Sequence, residues 1–152
     1  MRSILDEYFE TRSTDRLRRT IELSWKFVDE IGVNQFDTRH LLFGAFAKAN
    51  GVAYHVLENF GVTYDSLRQL CAGEIFTNTV DPEAIHVDPE VKLAINDAID
   101  AARMMRHGYF GTEHLLIGLT KEGLQSTVVL RELGLEPNAV RSEVYALLGH
   151  AM

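Results

Sequence analysis

A chain of 152 residues that is 46% hydrophobic is long enough to bury one real core and too apolar to be disordered. A net charge of −7 argues against nucleic-acid binding, which needs clustered Lys and Arg, and no stretch approaches the length of a membrane span. The single cysteine, Cys71, excludes an internal disulfide, and the N-terminus carries acids without a long apolar run, so the expected setting is reducing and cytoplasmic.

Almost every segment reads as helix. Residues 2–11 carry an amphipathic turn or two through Ile4, Leu5, Tyr8 and Phe9. Residues 15–31 place Leu17, Ile21, Ser24, Trp25 and Val28 on one face, capped by Thr14 or Asp15 and stopped by Gly32. The basic cluster Arg12, Arg16, Arg18 and Arg19 opens this helix with acids around it and reads as a solvated face. Thr38 is expected to cap a second helix running to about Ala49; a third follows Gly51 and stops at Gly61, and a fourth covers 64–72. Cys71, after Leu67 and Leu70, packs there as a small hydrophobe.

Residues 73–87 lose the hydrophobic period and collect the turn formers Thr77, Asn78, Asp81 and Pro82. Asp88-Pro89 then supplies a cap and a first-turn proline together, and Val91, Leu93, Ile95, Ala98, Ile99 and Ala102 form the buried face of a helix stopped by Gly108. Thr112 is expected to cap the next helix, which ends near Gly123, and the last two cover 125–133 and 137–148. No alternating run survives that would suggest a strand.

The chain repeats itself. Thr38-Arg39-His40-Leu41-Leu42-Phe43-Gly44 returns as Thr112-Glu113-His114-Leu115-Leu116-Ile117-Gly118, at an offset of 112 − 38 = 74, and Phe36 falls on Phe110. Val56-Leu57 and Gly61-Val62 fall on Val129-Leu130 and Gly134-Leu135, one residue out of step. Each unit holds four helices. The expected architecture is all-α: two tandem four-helix repeats packed about a pseudo-twofold axis as an eight-helix domain. The divisions are a leader over 1–12 and a domain over 13–149, the latter split into repeat one (13–72), a linker (73–87) and repeat two (88–149).

Gly111-Thr112-Glu113-His114-Leu115-Leu116-Ile117-Gly118-Leu119, then Lys121-Glu122-Gly123, Val129-Leu130 and Leu133-Gly134, resemble the Clp N-terminal repeat. Thr14-Asp15-Arg16-Leu17-Arg18-Arg19 resembles the opening of the first repeat in ClpC-type chaperones. The resemblance covers about residues 13–149 and implies a substrate- and adaptor-binding domain of the kind placed ahead of AAA+ ATPase modules that feed a protease. No G-x-x-x-x-G-K-[ST] phosphate loop occurs in the sequence, so it does not hydrolyse ATP by that family's mechanism. Met1 and the leader favour a stand-alone relative over an excised piece.

A helix N-terminus attracts anions, a Thr there adds a hydroxyl and a Glu a carboxylate. The resemblance supplies a ligand with both complements, phosphorylated arginine, and implies Glu113 as the guanidinium acceptor with Thr112 close to the phosphate. Read without it, Thr112 is a good cap, Glu113 a favourable first-turn acid, and His40 and His114 packed histidines. The first unit departs from the pattern. Thr38-Arg39 offers a cation that repels a guanidinium and opposes the helix dipole, so that site is lost or has changed ligand. The resemblance also implies an adaptor or ligand surface where the two first helices begin, at Thr14 and Asp15 and at Val87 and Asp88. The family often carries an aromatic where Ser13 and Val87 stand.

An enzyme is the weaker reading. A di-metal bundle site needs two Glu-x-x-His pairs; only Glu83-x-x-His86 occurs, in the linker, so neither a metal nor another cofactor is expected. The expected partners are a Clp ATPase or its adaptors, protein substrates, and phosphoarginine. The alternative is a regulatory subunit or decoy that docks on a Clp ATPase or protease ring without recognising substrate.

Overall fold

The computed structural model describes residues 12–48, 50–73 and 85–149. The leader up to residue 11 and the linker over 74–84, with Glu83, lie outside the described residues. Helix α1, Asp15–Ile31, starts where Thr14 Oγ1 accepts the Leu17 N–H at 3.1 Å and stops at Gly32, whose φ of 70° is the left-handed C-cap expected of glycine. Three short helices follow: α2 Thr38–Ala47, α3 Val52–Asn59 and α4 Tyr64–Ala72. The second unit holds α5 Pro89–Met104, α6 Thr112–Leu119, α7 Gln125–Glu132 and α8 Pro137–Leu147, with Pro89 and Pro137 in their first turns. The chain is thus all-α, as expected, with eight helices among the described residues.

Two helix ends fall short of their glycines for local reasons. Helix α5 closes at Met104, four residues before Gly108, because Arg106 turns left-handed at φ 58° and the His107 N–H returns to the Ala102 carbonyl at 2.9 Å. Helix α6 closes at Leu119 rather than near Gly123, where the Thr120 hydroxyl donates to the Ile117 carbonyl at 2.6 Å. The buried faces also differ from expectation at two large residues. Trp25 is 38% exposed, because α1 buries Phe27, Val28 and Ile31 while Trp25 lies on the flank against the Phe36 ring, 4.3 Å between centroids. Leu93 is 51% exposed, because α5 turns Ala94, Ile95, Ala98 and Ile99 inward instead.

Two pairings too short to show as alternation relate the repeats. Strand β1, Gln35–Phe36, pairs in parallel with β2, His86–Val87, and a single bridge joins Ser13 to Phe110. These are the same contact made twice with the roles exchanged, since 36 + 74 = 110 and 13 + 74 = 87. The Thr14 N–H donates to the Phe110 carbonyl at 3.0 Å, and the Asp88 N–H to the Phe36 carbonyl at 2.8 Å. Each repeat therefore holds the start of the other's long helix against the loop that opens its own second helix, as a pseudo-twofold axis requires.

Within each repeat the long helix and its successor touch at one glycine. A Cβ on Gly44 would stand 2.7 Å from the Thr20 carbonyl and 2.0 Å from Ser24 Oγ, and one on Gly118 would stand 2.1 Å from the Ala94 carbonyl. These neighbours also differ by 74. A backbone carbonyl cannot swing away as a side chain does, so Gly118→Ala is expected to push α5 and α6 apart and destabilise the domain by about 1–3 kcal/mol, read from urea denaturation.

Candidate functional site

The second helix of each repeat starts by the same device. The caps are Asp37 and Gly111, not Thr38 and Thr112, which occupy the first helical position. The reason is the histidine three residues on. The Asp37 N–H donates to His40 Nδ1 at 2.9 Å, and the Gly111 N–H to His114 Nδ1 at 3.0 Å, so each ring folds back over the residue before the threonine. Both histidines are buried, and burial lowers both pKa values from 6.5 to about 4, helped at His114 by His107. Because Nδ1 accepts, the ring proton sits on Nε2. His114 gives it to His107 Nδ1 at 2.8 Å, whereas His40 Nε2 has no partner among the described residues; the position matching His107 is Val33.

In the first repeat Asp37, Thr38 and Arg39 are all engaged at the helix start. Arg39 folds onto Asp37, Nη2 to Oδ2 at 2.7 Å and Nε to Oδ1 at 3.1 Å, while the Arg39 N–H donates to Asp37 Oδ1 at 2.8 Å. The dipole cost expected of a first-turn cation is thus offset by a paired carboxylate at the cap. Arg39 also lies near Cys71, a basic neighbour the sequence did not reveal, yet burial outweighs it and holds the thiol well above its usual range. Glu90 reaches across from α5. One carboxylate oxygen accepts from the Thr38 N–H at 2.9 Å and from the Thr38 hydroxyl, and the other accepts from the Gln125 N–H at 3.0 Å. The Thr38 hydroxyl in turn accepts the Ser126 N–H at 2.9 Å. A carboxylate of the chain itself therefore fills the gap between the N-termini of α2 and α7.

In the second repeat the same start has no such clip among the described residues. Glu113, 9% exposed, lies against Gly111, where a Cβ would come 2.1 Å from its Oε1. Its carboxylate takes a long hydrogen bond of 3.3 Å from the Tyr109 hydroxyl and has no ion pair among the described residues. The Tyr109 ring stacks on His107, 5.1 Å between centroids.

The pairings sort the eight candidate residues into two groups. Thr14 and Asp15 come to Phe110 beside Thr112 and Glu113; Val87 and Asp88 come to Phe36 beside Thr38 and Arg39. Asp88 is itself engaged, capping α5 through the Glu90 N–H at 2.9 Å and accepting from Gln35 Nε2 at 2.6 Å. Glu90 was missed in the sequence, although the offset of 74 places it opposite Arg16, a change of sign between matched positions. Among the described residues no cluster of three His, Cys, Asp or Glu could hold a metal, and no helix is long and apolar enough to cross a membrane. A surface depression of about 430 Å³ lined by Phe46, Tyr54, Val62 and Tyr64 contains none of the candidate residues.

Residues 12–84 and 86–152 each match the family described as "Clp repeat (R) N-terminal domain". The chain belongs to that family. As a Clp N-terminal domain it is 32% identical over 139 residues to the chaperone protein ClpB of Oceanobacillus iheyensis, and equally to the negative regulator of genetic competence ClpC/MecB of Bacillus subtilis. Each alignment covers 91% of this chain but 17% of the relative, so the chain spans about a sixth of the length of these proteins. Among solved structures it resembles the N-terminal domain of ClpD from Arabidopsis thaliana, with a TM-score of 0.74 and 24% identity over 93% of this chain and 96% of that one. It also resembles the ClpV N-domain solved in complex with a VipB peptide, with a TM-score of 0.71 and 12% identity over 98% and 94%. At these identities the likeness establishes the fold.

Two consequences of this Clp-domain geometry are measurable. Glu90→Gln removes the charge that answers three donors on α2 and α7, and is expected to cost about 1–3 kcal/mol in urea denaturation. His40 and His114 take up protons on unfolding at any pH between about 4 and 6.5, since the unfolded chain binds them below 6.5 and the folded chain only below about 4. Stability should therefore fall as pH drops through that window, and His114→Asn should flatten the dependence of Tm on pH.

Proposed function

We propose that this chain is a non-enzymatic protein-binding module of the Clp chaperone–protease system, acting in the cytoplasm, and that its second repeat reads phosphoarginine on protein substrates. Glu113 accepts the guanidinium and Thr112 lies beside the phosphoryl group. Thr14 and Asp15 border this site and contribute to the surface that meets a substrate or adaptor; Val87 and Asp88 border its counterpart.

The observation that carries the reading is the contrast between matched positions. Glu113 is an acid with no cation partner among the described residues, at the start of a helix whose N-cap, Gly111, has no side chain. Arg39 is a cation already closed onto Asp37, beside a Thr38 already bonded to Glu90. A free carboxylate can take a guanidinium through two parallel hydrogen bonds, and a paired arginine cannot take one at all. The ClpV N-domain with its VipB peptide is a precedent for peptide binding on this fold.

Calorimetric titration with phosphoarginine tests the reading. The expected result is one site per chain, weakened at least about tenfold by Glu113→Ala and unchanged by Arg39→Ala. Two equal sites, or no binding in the unaltered protein, would leave a docking or regulatory subunit as the better account.

A further inference from the structure

The clip made by Glu90 displays what its cleft is shaped to hold. Two oxygens of one anion are shared between the first amide of α2, the Thr38 hydroxyl and the first amide of α7. The duplication builds this cleft a second time. Thr38 becomes Thr112 at an offset of 74; Gln125 becomes Val52 at the offset of 73 that holds after the one-residue shift; and Glu90 becomes Arg16. Helices α3 and α6 pack together as α7 and α2 do. In the second copy, however, no carboxylate among the described residues takes that place.

The residues of the second copy converge on Gly51. Its φ of 97° is a left-handed conformation suited to glycine, and a Cβ there would stand 3.1 Å from Thr112 Oγ1 and 3.7 Å from Arg16 Cδ. The residues that cap α3 and α6 are glycines, Gly51 and Gly111, with no side chain to answer the first-turn amides. Thr112 is 3% exposed, yet its hydroxyl has no hydrogen-bond partner among the described residues, whereas the matching Thr38 hydroxyl has two. Arg16 is exposed and makes no ion pair among the described residues. The cleft has kept the amides and the hydroxyl, and a cation stands where the first copy has its anion.

We propose that the cleft between the N-termini of α3 and α6 is an oxyanion site, closed by Arg16 and filled by a carboxylate or phosphoryl group that a partner peptide presents. Glu90 is the internal precedent for the occupant: the anion that the chain supplies at the cleft between α2 and α7 comes, at the matching cleft, from outside. The first-turn amides and the guanidinium fork are donors only and the Thr112 hydroxyl can donate with them, so they favour an oxyanion over a neutral amide. The site shares Thr112 with the phosphoarginine reading but does not need Glu113, and it stands if guanidinium recognition fails.

The test is a titration of the whole chain followed by amide chemical shifts, with sodium acetate and sodium phosphate as probes against sodium chloride at equal ionic strength. Saturable shifts of the Val52 and Thr112 amides are expected with at least one oxyanion, acetate alone marking a carboxylate site and phosphate alone a phosphoryl site. Arg16→Glu, copied from Glu90, should carry its own carboxylate into the cleft. It is expected to raise Tm and weaken the response at least about tenfold, while Glu113→Gln leaves the response in place. Shifts no larger than with chloride, or an unchanged response in Arg16→Glu, would overturn the proposal.

Discussion

Short helices leave many backbone amides without partners at their first turns, and here four such turns meet between the two repeats. Helix α2 faces α7, and α3 faces α6. The buried N–H groups they present have to be answered by something negative or polar. In one pair the answer is built in: Glu90 joins a helix from each repeat, so the same contact that caps α2 and α7 also locks α5 across them. In the other pair the matching position is Arg16, and no anion among the described residues answers the amides. The difference between the repeats is thus a difference in who supplies the anion.

Around that constraint the two halves hold each other by an exchange. The loop before α2 pairs with the residues before α5, and the loop before α6 with the residues before α1, so the start of each long helix is anchored on the other repeat. The glycines at 44 and 118 let the second helix of each unit lie close against the first, which fixes where the Thr-x-His turn points. The histidines complete the turn by folding back on the preceding amide. Their surroundings have diverged too: His114 has His107 as a partner, whereas the matching position in the first repeat is Val33 and His40 Nε2 has no partner among the described residues. A duplicated scaffold has kept its architecture while its two clefts moved apart in chemistry.

Much of this was legible in the sequence because it is local or repeated. Thr14 and Gly32 bound α1, Asp88-Pro89 opens α5, and the offset of 74 announces two similar units. Two kinds of fact were not legible. A side chain that turns back to cap its own helix start, as His40 and His114 do, displaces the threonine that looks like the better cap. Contacts between residues distant in sequence, such as Glu90 with Thr38, carry no periodic signal; the sign change between Arg16 and Glu90 was the trace they left. Trp25 and Leu93 were placed inward by type, but the packed face of each helix is set by its neighbours.

The central claim is that Glu90 closes the cleft between α2 and α7, while the matching cleft between α3 and α6 is left for an outside anion. Amide shifts of the whole chain on addition of a phosphoarginine-bearing peptide test it most directly. The account predicts that Val52, Thr112 and Glu113 move and saturate together while Thr38, Arg39 and Gln125 stay in place. Equal movement of Thr38, Arg39 and Gln125 would contradict it, since those amides could respond only if Glu90 and Asp37 had let go.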